Sequence, residues 1–342
     1  MSYKAPVDDM LFLLERVFDV SRIKAEETYS HLDSNTISSI LFEAAKLSEK
    51  VLSPLNALSD KQPPKLVDGQ VICTPGFKEG YEAIANGGWV GMSGKTEYGG
   101  MELPNVIRSC INEILGSGCL SLSLNPLMTQ VQIEALENHA SKELKNLYLP
   151  NLISGKWSGT MNLTEEHAGS DVGALKTSAI AENDGTYSIT GRKIFISWGD
   201  HDLTENICHL VLARLPDSLP GTKGISLFLV PKYLLDKKGR PEKKNNMQII
   251  SIEQKMGLHG SPTAVIDYEA GKGRHEGRLG GYICTWTDER NDRTFHVGTG
   301  LTDAERDNPL PVGSVITFEY FGLTNAGSPR HPKYLRERLD YE

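Results

Sequence analysis

The sequence predicts a multidomain α+β chain: a helical domain over residues 1–155, a β-barrel-like domain over 156–269 and a small barrel over 270–342. Three observations carry this. The chain has 342 residues, beyond the size at which a single hydrophobic core stops growing. Apolar residues recur at helical spacing up to about residue 150, then as short β-branched runs. Beyond Gly271 such runs are joined by glycine- and proline-rich turns, the pattern of a small barrel.

The elements follow in order. Met10, Leu11, Leu14, Val17 and Phe18 share one face of a helix over 7–20, with Asp8 and Asp9 in its first turn. Ile37, Ile40, Leu41, Ala44, Leu47 and Val51 predict a helix over 36–51, closed by Ser53-Pro54. Lys61 to Pro75 reads as a polar connection. Helices are predicted at Phe77–Asn86, Val106–Leu115 and Met128–Glu137, with a shorter one over Ser141–Tyr148 ended by Pro150. The period then changes. Thr177–Ile180 and Tyr187–Ile189 flank Asn183-Asp184-Gly185, a hairpin signal. Lys193–Ser197, His209–Arg214, Ile225–Val230, Met247–Gln254 and Ala264–Tyr268 are further strands, and Asp236–Asn246 is a charged loop. Leu279–Trp286, Thr294–Val297, Val315–Phe321 and Lys333–Arg338 are the strands of the last domain.

Composition narrows the function classes. The content is 39% hydrophobic and 23% charged, that of ordinary soluble protein. No stretch has the length and apolarity of a membrane span. Acids interrupt the N-terminal MSYKAPVDDMLFLLERVF too early for a secretory signal, so a cytoplasmic protein is expected. Five cysteines without a CxxC pair argue against a zinc site or disulfide framework. A formal net charge of −8 argues against a nonspecific nucleic-acid binder.

The sharpest motif is Met161-Asn162-Leu163-Thr164-Glu165-Glu166-His167-Ala168-Gly169-Ser170-Asp171. A second piece, Gly191-Arg192-Lys193-Ile194-Phe195-Ile196-Ser197-Trp198, follows. Gly169 permits close backbone approach to a ligand. Thr164, Ser170 and Ser197 offer hydroxyls to a flat, hydrogen-bonding heterocycle, and Phe195 or Trp198 could cover one ring face. The same residues also suit a glycine turn between two strands with ordinary capping hydroxyls.

These motifs resemble the acyl-CoA dehydrogenase family, in its branch with a long N-terminal extension. SYKAPVDDMLFLL, GGWVGMSGKTEYGGMELP (Gly87–Pro104), HLVLARLPDSLPGTKGISLFLVPK (His209–Lys232) and KMGLHGSPTAVIDYE (Lys255–Glu269) extend the resemblance over residues 2–269. It implies a helical N-terminal domain and a middle β-domain that seats FAD. Carried over by position, Met161, Asn162, Leu163, Thr164, Gly169, Ser170, Phe195, Ile196 and Ser197 would contact FAD. Thr164 and Ser197 would bond the flavin edge, and Ser170 would lie between flavin and acyl-CoA thioester. Glu166 departs from the family pattern, which has proline there. The implied reaction is α,β-desaturation of an acyl-CoA. The family base comes from a C-terminal helical bundle, and nothing helical is predicted after Glu269. Little or no turnover is therefore expected. The same absence exposes apolar faces, so a homo-oligomer is expected.

Residues 270–342 carry a second resemblance. Gly271–Trp286 and Phe295–Asp340 are similar to the OB domain of small bacterial ATP-dependent DNA ligases. Lys272, Arg274, Arg336 and Arg338 would then meet phosphate, since arginine suits bidentate phosphate contact. They equally suit solvated charges on a barrel surface. The lysine motif of ligase adenylylation is absent, so joining is not expected and DNA contact would be weak. Without a linker at the seam, the chain reads as a chimera of two partial enzymes. Three functions follow: a flavin module of the dehydrogenase type, a nucleic-acid-binding accessory module, or a non-functional chimera.

Overall fold

The computed structural model describes residues 3–24, 26–268, 282–287, 292–297, 300–302, 304–305, 308, 310–311, 314–323, 329 and 332–338. The chain divides into two compact units, Met1–Glu269 and Ala270–Glu342.

The first unit begins with α1 (Val7–Phe12), which passes into a π-helical turn over Leu13–Val17. The wider turn rotates the apolar stripe. Met10 and Leu14 stay buried, whereas Val17 and Phe18, predicted on the same face, are exposed. The helix α2 (Ser34–Leu47) is capped by Asp33, whose carboxylate accepts from Thr36 N–H at 2.7 Å. Ser53-Pro54 does not close it. The chain runs through a π-helical turn (Ser48–Leu52) into α3 (Ser53–Lys61), with Pro54 in the first turn. A proline needs no N–H where the hydrogen-bond register changes.

The predicted connection over 61–75 contains a hairpin, β1 (Lys65–Val67) and β2 (Gln70–Ile72). Asp68 and Gly69 form its turn, both at positive φ, which the Asp-Gly pair favours. After α4 (Phe77–Asn86) comes α5 (Asn105–His139), which joins the two helices predicted at 106–115 and 128–137. Its one non-helical residue is Cys119. The two helical segments meet there at a kink, and the small residue before it allows close packing: a Cβ on Gly118 would lie 2.2 Å from Ser48 Oγ. The helix α6 (Lys142–Ile153) runs past Pro150. Tyr148, Leu149, Leu152 and Ile153 bury themselves beside Trp157 in a second core, and that burial outweighs the lost hydrogen bond.

The β half is a seven-stranded sheet ordered β10-β11-β5-β4-β6-β3, with β7 on β6. Its strands are β3 (Trp157–Asn162), β4 (Ser178–Ala181), β5 (Tyr187–Ser197), β6 (Asn206–Arg214), β7 (Ile225–Pro231), β10 (Met247–Ile252) and β11 (Thr263–Tyr268). The predicted charged loop holds a second small hairpin, β8 (Tyr233–Leu235) and β9 (Pro241–Lys244). A third core, built on Ile189, Ile196, Val211, Met247 and Ile266, lies within the sheet.

Among the described residues of the second unit, β12 (Tyr282–Thr287) pairs with β13 (Asp292–Val297), and β14 (Ile316–Glu319) with β15 (Lys333–Glu337). Among the described residues no helix is long and apolar enough to cross a membrane.

Candidate functional site

Strand β3 leaves the sheet at Leu163 and enters the loop carrying the sequence motif. Ile194 N–H donates to Thr164 O at 2.9 Å, so the loop runs beside β5. A tight reversal follows. Glu165 N–H bonds to Ala168 O at 3.0 Å and Ala168 N–H to Glu165 O at 3.1 Å, leaving Glu166 and His167 at the tip.

A buried ion pair anchors this loop. Lys193 Nζ lies 2.8 Å from Glu165 Oε1 and donates to Leu163 O at 3.0 Å; the two side chains are 0% and 5% exposed. The Glu165 carboxylate also accepts from Lys176 N–H (2.7 Å), Thr177 N–H (3.0 Å) and Thr177 Oγ1 (2.6 Å). Burial pushes the Glu165 pKa up, but the Lys176 N–H, Lys193 and Thr177 outweigh it and hold the carboxyl below its ordinary range. Burial holds Lys193 below the usual lysine value despite its partner. Glu165 is thereby committed to structure. Lys193 escaped the sequence reading, although a lysine before Ile194 in a half-buried strand is a signal for a buried pair.

The motif residues separate by strand alternation. Asn162 is buried, and its amide joins two interior groups. Tyr268 Oη donates to Asn162 Oδ1 at 2.8 Å, and Asn162 Nδ2 donates to His209 Nδ1 at 3.2 Å. Ile196 lies in the sheet core. Their side chains therefore face away from any ligand, and only their backbone is available. Met161, Leu163, Thr164 and Ser197 are half-buried, and Gly169 and Ser170 are exposed at the loop.

Of the two aromatic candidates, Trp198 is sealed inside. It stacks on Phe77 at 6.2 Å and donates Nε1–H to Ser121 O at 3.1 Å. Phe195 instead stands 57% exposed; both residues have a left-handed backbone, at φ 58° for Phe195 and 55° for Trp198. That conformation is unfavourable for an aromatic residue, and strain of this kind gathers at ligand sites. Leu258, also at positive φ, and fully exposed Met256 lie on the loop that leads to Thr263, the partner of Ser197. Sequence reasoning missed both. Exposed Phe195, on the strand whose Ile194 N–H bonds Thr164 O, together with the Thr164 and Ser197 hydroxyls suits a flat ligand with an apolar face and a polar edge. Gly169 supports this: a methyl there would meet only Thr164 Cγ2, at 4.0 Å. Folding does not demand that glycine.

A second polar cluster is sealed. His201 is buried, and Leu203 N–H donates to its Nδ1 at 3.1 Å. Nε2 faces two polar groups, Ser158 Oγ at 2.8 Å and Asn125 Nδ2 at 3.2 Å. Ser158 Oγ lies 3.4 Å from Thr204 Oγ1, which donates to Asn206 O at 2.8 Å. Burial, then Lys232, then His209 push the His201 pKa down to about 3. This serine–histidine pair is sealed from solvent, with both residues 1% exposed, so no substrate reaches it as nucleophile and base.

Arg336 and Arg338 are exposed at the end of the second unit. Lys272 and Arg274 lie outside the described residues.

Comparison with known proteins gives a match for each part of the chain. Residues 73–156 match the acyl-CoA dehydrogenase N-terminal domain and residues 160–270 its middle domain. Residues 270–338 match the DNA ligase OB-like domain. The matches thus come from two families, one on each side of residue 270. The dehydrogenase part is 41% identical, over 80% of the chain, to the 3-methylmercaptopropionyl-CoA dehydrogenase of Ruegeria pomeroyi, and covers 46% of that protein. The ligase part is similar to the DNA ligase of Haemophilus influenzae, 39% identical over 98 residues, 28% of this chain and 34% of that one. The structure of butyryl-CoA dehydrogenase from Megasphaera elsdenii shares the fold, with a TM-score of 0.55 at 22% identity over 68% of this chain and 55% of that one. The chain spans about half the length of the curated dehydrogenases it matches. The acyl-CoA dehydrogenase domains thus supply the loop, the strand and the exposed Phe195 described above.

Proposed function

We propose that the dehydrogenase part seats FAD between the loop 161–170 and residues Phe195–Ser197. The observation that carries this is Phe195, held exposed on strained backbone beside a loop of free hydroxyls. Met161 and Leu163 would pack on the flavin, Thr164 and Ser197 would bond its polar edge, and Ser170 would face the acyl thioester. FAD would supply the hydride acceptor for α,β-desaturation of an acyl-CoA. The chain's own part is to orient that ring and keep water from it.

Proton abstraction is a separate requirement. Glu165 is spent on Lys193, and Glu166 stands 3.9 Å from Arg192. Neither is poised as a base, so we propose that the loop binds flavin but turns over poorly. Purified protein will be yellow with a flavin absorption band, and acyl-CoA-dependent reduction of an artificial acceptor will stay at background. Colourless protein that takes up no added FAD would refute the binding; clear turnover would refute the missing base.

A second activity belongs to the ligase-like domain: weak contact with DNA phosphates through exposed Arg336 and Arg338. A salt-sensitive gel shift with nicked duplex supports it, and no shift at low salt removes it.

A further inference from the structure

Two consecutive acids on the loop face two consecutive cations on β5. Alternation along the strand turns Lys193 inward and Arg192 outward. The inner pair, Glu165–Lys193, is buried at 2.8 Å. The outer pair, Glu166 Oε1 to Arg192 Nη1, spans 3.9 Å with side chains 38% and 20% exposed. Arg192 cannot drift to meet a moving partner, because Asp267 on β11 holds it at 2.5 Å through Nε and 2.7 Å through Nη2. Between the pairs lies the two-residue tip, Glu166-His167. His167 Nε2 donates to Ala174 O at 3.1 Å and lies 3.6 Å from Glu165 Oε2, so the His167 side of the tip stays tied to the buried pair.

The two pairs respond differently to salt. A fully buried pair is screened little, whereas the outer pair, solvent-facing through Glu166, is screened within a Debye length of about 10 Å at 0.1 M. We infer that Glu165–Lys193 is a fixed hinge and Glu166–Arg192 a salt-labile latch, so that ionic strength sets how often the loop tip opens. On the flavin reading, which this inference deepens, the same latch governs how fast the cofactor escapes. The corner Glu166 occupies is one where proline would preset the backbone. An ionic contact there replaces a permanent restraint with an adjustable one.

The test is amide hydrogen exchange of residues 164–170 in the full chain without ligand, at about 0.02 M and about 0.5 M NaCl. Strand 206–214 is the internal reference. In the wild type, exchange at the tip will quicken about two- to fivefold at high salt, the range of an exposed pair. Glu166→Gln will exchange at the fast rate in both salts, and Glu166→Pro at the slow rate in both. A wild-type tip indifferent to salt, or a Glu166→Gln tip that still responds, would overturn the latch. FAD release, measured separately, will rise with salt by the same factor. Failure to bind FAD would overturn the flavin reading and leave the exchange result to judge the latch.

Discussion

The interior around His201 and the rim around Phe195 are both rich in polar groups, yet they are opposite kinds of place. Around His201 the side chains bond to one another, from the ring through Ser158 and Thr204 to Asn206 O. His201, Ser158 and Asn206 are buried there. Around Phe195 the order reverses. Apolar residues stand in water, hydroxyls are uncommitted, and the backbone adopts a conformation that solvent alone would not favour. Residue types that suggest catalysis mark the sealed region. The proposed binding region is marked by what remains unfilled.

Four experiments break or sharpen this contrast. The largest effect is expected where the two regions are stitched together. Lys193→Met leaves Glu165 buried without its cation, and loss of one partner of such a pair destabilises by about 3–5 kcal/mol. Urea unfolding will register this; a change below about 1 kcal/mol would mean that water reaches the pair.

Acid acts next, on the sealed region. His201 and His209 have pKa values of about 3, against an ordinary 6.5, chiefly through burial and then through Lys232. A folded value below the unfolded one gives stability that is complete above pH 6.5 and is lost as pH falls toward 3. At pH 5 the loss is about 2 kcal/mol per ring. The melting temperature will therefore fall between pH 6.5 and 5, before the carboxylates titrate. A flat profile there would show the rings to be hydrated.

Ser158→Ala is smaller. It strips His201 Nε2 of a hydrogen-bond partner, for about 1–3 kcal/mol, read as a lower melting temperature. If Ser158 were a nucleophile, the substitution would instead abolish a hydrolytic activity while sparing stability.

Gly169→Ala should be smallest for stability, within about 0.5 kcal/mol, because its methyl finds open space. Its effect should appear in ligand affinity alone, as at least a tenfold weaker grip on FAD. Equal binding by the variant would take Gly169 out of the site.

Much of the fold was legible, for reasons that also explain the failures. The helical stripes of α2 and α4 and the Asp184-Gly185 hairpin follow from local pattern. Pro54 and Pro150 misled because a proline reads as a stop, whereas a change of register or a well-buried following turn lets the helix continue. Val17 and Phe18 misled because the π-helical turn carries a stripe off its face. At the site, the loop residues and Phe195 follow from the motifs. The direction of each side chain does not: Asn162 turns to His209, and Trp198 to Phe77. Leu258 and Met256 stayed hidden because their neighbourhood arises from the pairing of Thr263 with Ser197, a contact across the chain.

The central claim is that the rim holds FAD. It is tested most directly by titrating the ligand-free chain with FAD and following flavin fluorescence together with that of the protein. Saturable, stoichiometric binding that Gly169→Ala weakens is the predicted result. A linear, unsaturable response, the same for both proteins, would contradict it.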